Sequence, residues 1–423
     1  MQAIFQKIKL ILEDSNLTRR LLFVFGILAL FRIGAAIPIP TIDATTLESF
    51  FLNNQFFGLL NIFSGGGLSN LSIFMLGVGP FITASIIMQL STLVFPQLKE
   101  LYHEEGEAGR RKFSQYSRLL SVPLAMLQSF GLLTLLAQQG VVPGLSLELK
   151  ILSVVIITAG SVLLMWLGEL INEYGIGNGV SILIFAGIVA SVPSVASQII
   201  LTYDPSLIPT YLGFLVMAIL IVAGVVIVTE GERPIPITYA KRNQGTKTYG
   251  GISTYLPIRV NNAGVMPIIF ALSILLFPQM LINFLAQVDN VVIQNISHLF
   301  LSLLENPWLY SSIYFVLVFA FTYFYSAITF DPHTIATNLQ KGGAFIPGIR
   351  PGEPTENHIA DILTRLTFFG ALFLGVIAML PLIMQEITGI ATLAIGGTGL
   401  LIVVSVTLDL IKKIDAQITM REY

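Results

Sequence analysis

Residues 61–90 read NIFSGGGLSNLSIFMLGVGPFITASIIMQL. The first part carries Gly65, Gly66 and Gly67 among small polar residues, and the second opens an apolar run over 73–95. A bilayer core about 30 Å thick is crossed by roughly 20 apolar helical residues. The run 73–95 therefore reads as a membrane span. The stretch before it, FFGLLNIFSGGGLSNLS (56–72), is apolar but too short and too broken to be one. Irregular backbone at membrane depth survives only inside protein or beside water. This stretch is thus a re-entrant segment or an external loop, and composition alone favours the loop.

Working outward, nine more runs of the same kind appear, near 19–36, 118–138, 151–172, 178–199, 210–229, 262–286, 308–329, 362–385 and 393–411. Composition agrees. Of 423 residues, 54% are hydrophobic and only 11% charged, against about 25% charged in soluble domains. Mean hydropathy is +0.82. A disordered chain, a coiled coil and a water-soluble enzyme are excluded, leaving a polytopic membrane protein. The first twenty residues form a charged amphipathic stretch with no small-x-small cleavage site after an apolar core, so the first span is expected to stay as an anchor. The net charge of −2 gives no field to attract DNA. With no cysteine, disulfides, thiolate metal sites and cysteine nucleophiles are absent.

Basic residues set the orientation. With a cytoplasmic N-terminus and alternating sides, 20 of the 22 Lys and Arg fall in 1–20, 96–118, 230–261, 330–365 and 409–423. All lie on one side; Lys150 is opposite and Arg32 is within the first span. Asp43, Glu48, Glu148, Asp204, Asp289, Glu305 and Glu386 occupy the other side. Such asymmetry supports ten spans and cytoplasmic termini. The cytoplasmic segments 230–261 and 330–361 are long and rich in Pro and Gly, and the first reads as a β-hairpin with its tip around Asn243–Gly245. Loops of this length are disproportionately functional, so both are expected to be docking surfaces. Span spacing suggests two halves, 1–200 and 201–423, of five helices each; an odd number per half gives inverted topology.

The chemistry-bearing motifs are sparse. His103-Glu104-Glu105 starts like a zinc helix, but Glu107 stands where the second histidine belongs. Gly175, Gly177 and Gly179 lack dinucleotide spacing and follow no strand, so they read as a tight turn between the fourth and fifth spans. Arg32 is the only ionisable residue clearly within a span, and a proton relay needs more. No catalytic dyad is visible. A path lined by neutral residues remains, with a secondary transporter of a small solute as the alternative.

Several long motifs in order then make a resemblance. NIFSGGGLSNLSIFMLGVGPFITASIIMQL (61–90), GEAGRRKFSQYSRLL (106–120), GELINEYGIGNGVSILIFAGI (168–188), YAKRNQG (239–245), LPIRVNNAGVMPIIFALSILLFP (256–278), IPGIRPGEPT (346–355) and GGTGLLIVV (396–404) resemble the SecY family of bacterial and plastid protein-conducting channels. The loop Leu101-Tyr102-His103-Glu104 and the short tail resemble cyanobacterial or plastid members.

The resemblance implies an all-α membrane protein of ten helices in two inverted halves with a re-entrant plug at about 57–72. It places the family's apolar pore ring on Ile82, Ile86, Ile184, Ile269 and Ile402. A ring of branched apolar side chains seals by dewetting and reads no sequence. The plug falls on Leu60, Asn61, Phe63, Ser64, Gly65, Gly66, Gly67 and Leu68. The lateral gate falls on Thr83, Ile87, Gln128, Asn261 and Phe277. Docking of motor or ribosome falls on Lys241, Arg242 and Arg350. The implied activity is passive passage of unfolded secretory chains, with sideways release of membrane helices into lipid, and neither enzyme activity, cofactor nor metal. The implied partners are SecE, SecG, the SecA motor ATPase, the ribosome, signal sequences with their precursor chains, and a YidC-type insertase. The implied location is the inner (plasma) membrane, or the thylakoid.

Overall fold

The computed structural model describes residues 14–39, 60–61, 64–103, 105–138, 146–201, 208–239, 242–244, 247–249, 253–285, 292, 294–297, 300, 302, 306–388 and 391–422. Each of the ten apolar runs falls on one helix. These are α1 (Ser15–Ala36), α2 (Gly79–Val94), α4 (Gly106–Gln138), α5 (Leu147–Tyr174), α6 (Gly179–Leu201), α7 (Ile208–Glu230), α8 (Met266–Leu285), α9 (Pro307–Thr329), α11 (Glu353–Thr388) and α12 (Ala391–Glu422). Short helices α3 (Pro96–His103) and α10 (Pro332–Lys341) lie between them. By length and composition alone, five described helices are sufficient to cross a bilayer, or six if the α2–α3 pair is one span.

Helix starts are chemically marked. Asp14 accepts from the amides of Asn16 (2.8 Å) and Leu17 (3.2 Å) to cap α1. Asn306 caps α9 and Asp331 caps α10 in the same way, each followed by proline at the first turn, where its missing N–H costs nothing. Phe95 and Pro96 end α2, and the chain bends by 115° into α3.

The second span departs from the sequence reading. Its helix begins at Gly79, and residues 64–78 form a chain of turns instead. Gly65, Gly66 and Gly77 adopt positive φ, which a β-carbon disfavours. The turns are not an external loop, as composition favoured. Ser64, Leu68, Leu71 and Ser72 are buried without solvent contact. Their backbone needs are met locally: Ser64 Oγ accepts from the Leu68 amide (3.0 Å), and Asn61 Oδ1 accepts from the Ser69 amide (2.9 Å).

Most of the buried side chains form a single apolar cluster that includes residues of α1, α2, α4, α5, α6, α8, α9, α11 and α12. Helix α7 buries only Ile221 and Val225, while Leu212, Leu215, Ile219, Leu220 and Ile227 stay exposed. A helix apolar all round with an exposed surface suits hydrocarbon, not water.

The two long connecting segments build one platform. Strand β1 (Glu232–Tyr239) pairs antiparallel with β4 (Ser253–Arg259), and β2 (Arg242–Gln244) pairs with β3 (Lys247–Tyr249) beyond it. The hairpin tip lies between the paired Gln244 and Lys247. A third strand, β5 (Ala344–Phe345), comes from the second segment and pairs with Thr238 and Tyr239 of β1. Pro234 and Pro236 are tolerated in the middle strand because β5 reaches only its last two residues. Ile235 and Ile258 of the hairpin pack with Ile346, Ile359, Ile362 and Leu363 into a separate small core.

His333 Nδ1 lies 2.9 Å from Glu356 Oε2, tying α10 to the first turn of α11. The hydrogen bond and charge of Glu356 raise the His333 pKa above its ordinary value. A raised imidazole pKa means the tie stabilises fully below the ordinary imidazole range and is lost as pH rises through the raised value. In an NMR titration His333 is expected to titrate above the ordinary imidazole value, and Glu356→Gln to bring its midpoint down. An unchanged midpoint in that variant would dissolve the pairing.

Candidate pore, plug and docking platform

The ring residues come from four helices: Ile82 and Ile86, one turn apart on α2, with Ile184 on α6, Ile269 on α8 and Ile402 on α12. All five are 1 to 3% exposed, and all belong to the one apolar cluster. The structure therefore places all five in the same buried apolar cluster.

Leu60, Leu68 and Leu71 join the same cluster. A β-carbon on Gly65 would stand 2.3 Å from the Phe31 ring of α1 and 3.1 Å from the Gly187 Cα of α6. Gly187 is one turn beyond Ile184, so the plug abuts α6 about 4.5 Å past the ring. Arg32 Nη1 donates to the Gly65 carbonyl at 2.9 Å. Arg32 thus ties α1 to the glycine turn. At the plug's exit, the Ile39 amide donates to Leu71 O (2.9 Å) and the Ile73 amide to Ile37 O (3.1 Å). Phe74 then wedges between Gly34 of α1 and Gly160 of α5, where any β-carbon would collide. Sequence reading missed Phe31, Phe74, Gly160 and Gly187, whose only signal is small residues facing large ones. Phe63 lies outside the described residues.

The gate elements are closed on one another: α2 packs on α4, and α8 packs on both. Thr83, Gln128 and Asn261 are buried, and Ile87 is half-buried. Their bonds are local. Thr83 Oγ1 donates to Gly79 O (3.0 Å) and Asn261 Nδ2 to Gly264 O (3.2 Å). Among the described residues no hydrogen bond joins the three into one network. The Phe277 side chain lies outside the described set. At the opposite seam, Gly399 of α12 lets Ile188 of α6 approach closely.

On the other side of the ring from the plug is a cavity of about 230 Å³. Ile82 and Ile269 form part of its lining, with Gln89, Asn172 and Asn178 around it. Asn178 lies just before α6, six residues ahead of Ile184, and Gly187 follows Ile184 by three, so the cavity and the Gly65 turn fall on opposite sides of Ile184 along this helix. A second cavity of about 200 Å³ shares Asn178, Met266 and Tyr325 with the first. Together they form a vestibule at the end of the bundle that carries the platform.

On the platform Arg350 is exposed at a turn fixed from both sides. Gly348 (φ +85°) and Gly352 (φ +99°) supply left-handed backbone, Thr355 Oγ1 donates to the Arg350 carbonyl (2.8 Å), and Ile346 and Ile349 anchor the turn in the small core. The guanidinium is left outward, as a bidentate group for carboxylate or phosphate requires. Arg242 lies on β2, and Lys241 falls outside the described residues. The hairpin base is held by Lys412 of α12, which donates to Thr229 O (2.9 Å) and pairs with Glu230 (3.0 Å).

Known proteins resemble this chain in sequence and fold. The SecY profile matches residues 72–411. The protein translocase subunit SecY of Thermus thermophilus is 44% identical over 427 residues, covering 97% of this chain and 95% of its own. That of Mycobacterium tuberculosis (strain H37Rv) is 41% identical over 432 residues, 97% of each, and that of Synechocystis is 42% identical over 420 residues, 97% and 94%. Solved structures share the fold. One, described as "The structure of a protein conducting channel", aligns with TM-score 0.66 at 20% identity, covering 96% of this chain and 93% of that one. Sec61 in the canine ribosome-channel complex aligns with TM-score 0.64 at 18% identity and the same coverage. Identity above 40% over 97% of the chain, the match to the SecY profile and the shared fold have a single reading: the chain belongs to the SecY family.

Proposed function

We propose that this chain is the protein-conducting channel of a Sec translocase. The observation that carries the reading is the meeting of five isoleucines from four helices in one buried cluster, with a glycine-bent plug on one side and a polar vestibule on the other. An apolar ring fits closely around an extended chain of any sequence and excludes ions when the chain is absent. A signal sequence would enter between α2, α4 and α8, where only side-chain packing holds the seam, and pass into lipid there. Thr83, Ile87, Gln128, Asn261 and Phe277 would line that gate. The chain hydrolyses nothing itself. Energy would come from a SecA-type motor or a ribosome gripping the platform at Lys241, Arg242 and Arg350. SecE would clamp the two halves, 1–200 and 201–423, with SecG at the periphery and a YidC-type insertase beside the gate. The charge asymmetry supports cytoplasmic termini and an inner-membrane location.

A transporter for a small solute would need a polar site at the constriction. The ring offers only isoleucine, so the channel reading is preferred. The test places a photo-crosslinker at Ile184 and stalls a secretory precursor in membranes containing the full translocase. Adducts that require a working signal sequence are expected. Their absence, with motor and subunits present, would show that the precursor takes another path.

A further inference from the structure

The vestibule carries an unmet hydrogen-bonding capacity, one part of it on the gate residue Asn261 and the rest outside the gate set. Asn261 is 5% exposed and lines the second cavity, yet its Oδ1 has no partner. Its Nδ2 donates to the Gly264 carbonyl, which can only accept, so the free end of the amide is the oxygen. Neighbouring Asn262 also lines this cavity and also leaves Oδ1 without a partner. In the adjoining cavity Gln89 Oε1 is likewise unpartnered, while its Nε2 contacts Ser85 Oγ at 3.1 Å. Buried acceptors left open are costly. Three of them around two cavities that share lining residues point to a donor that comes and goes.

Resting on the channel reading above, we propose that Asn261, Asn262 and Gln89 form a ladder of acceptors for the backbone N–H groups of the chain in transit. An extended polypeptide exposes one N–H per residue whatever its sequence, proline excepted. A site built from side-chain amides therefore holds any substrate while reading none. The ladder lies just before the ring, where the chain must be straightened and kept from sliding back between power strokes. Its bonds are to neutral groups, each weak enough to be exchanged for the next N–H as the chain advances.

The experiment uses the full translocase with its motor in proteoliposomes. Precursors stall on a ligand-locked downstream domain, with either an alanine or a proline cassette of equal length in the vestibule. The backward slip of the stalled chain is timed after the motor is removed. In the unaltered channel the alanine chain is expected to slip more slowly than the proline chain. In the Asn262→Leu/Gln89→Met channel the alanine chain is expected to slip about tenfold faster, for two bonds lost, and the proline chain at its former rate. Equal slip of the alanine chain in both channels overturns the proposal, as does an equal acceleration of both cassettes, which would mark a packing defect. Should the double variant not assemble, equal slip of the two cassettes in the unaltered channel overturns it as well. A precursor that never threads the unaltered channel defeats the channel reading itself, a separate outcome.

Discussion

Replacing Gly65 with valine is expected to make the idle channel leak ions. Two costs coincide at this position. The backbone sits at φ +64°, where a β-branched residue is strained. The new β-carbon would also lie within the Phe31 ring and against the α6 backbone at Gly187. Strain and overpacking together amount to about 3 kcal/mol, which shifts the plug from seated to displaced by roughly a hundredfold. The Arg32 bond to the Gly65 carbonyl would be lost with the displacement. Conductance of the reconstituted, precursor-free channel in a planar bilayer is the measurement. Phe31→Ala in the same background removes one of the two collisions and is expected to restore part of the seal. A channel that remains tight with valine at this position would mean that the turn at 64–67 does not contribute to closure.

The second large effect is expected from Arg350→Glu, which should reduce motor-driven export by about two orders of magnitude. The side chain is exposed, and the bond that shapes its turn uses the Arg350 carbonyl, so the fold tolerates the exchange. A partner carboxylate or phosphate would lose a charge-assisted pair and meet a like charge, a change of about 3 kcal/mol. Arg350→Lys keeps the charge but not the bidentate fork, and an intermediate rate is expected. Export of a precursor by purified motor and channel gives the rate, and recovery of intact complex gives assembly. Full export by the glutamate variant would remove Arg350 from the docking contact.

Much of this architecture was written in the chain. The ten apolar runs became ten helices because hydrocarbon leaves the backbone few other ways to satisfy itself. The turn around Arg350 was readable from Gly348 and Gly352, and the hairpin from strand-like pieces flanking Asn243–Gly245. The plug's depth was not readable. Residues 64–72 are as polar as a surface loop, and only their fit between Phe31, Gly187 and the Arg32 guanidinium takes them inside. The true start of α2 was hidden too, since 73–78 are apolar enough to continue a helix; Gly77 at φ +59° and Pro80 decide otherwise. The strand pairing that joins the two platform segments involves only two residues per strand, Thr238 with Phe345 and Tyr239 with Ala344. So short a pairing has no periodic signature. The unpartnered amides at Asn261, Asn262 and Gln89 became visible only once cavities placed them side by side.

That same two-residue pairing gives the platform its mechanics. Without β5 the hairpin would be held only near its base, by its small apolar core and Lys412, and its outer half would be a cantilever. Stitched to the segment that carries Arg350, and braced at its root by Lys412, it becomes a stiff arm with a fixed fulcrum. Its far strand, β4, runs through Asn261 and Asn262 into α8, the helix that bears Ile269 and packs on both α2 and α4. A torque applied to the arm is therefore passed along the chain into α8, and a grip on either segment is felt by both.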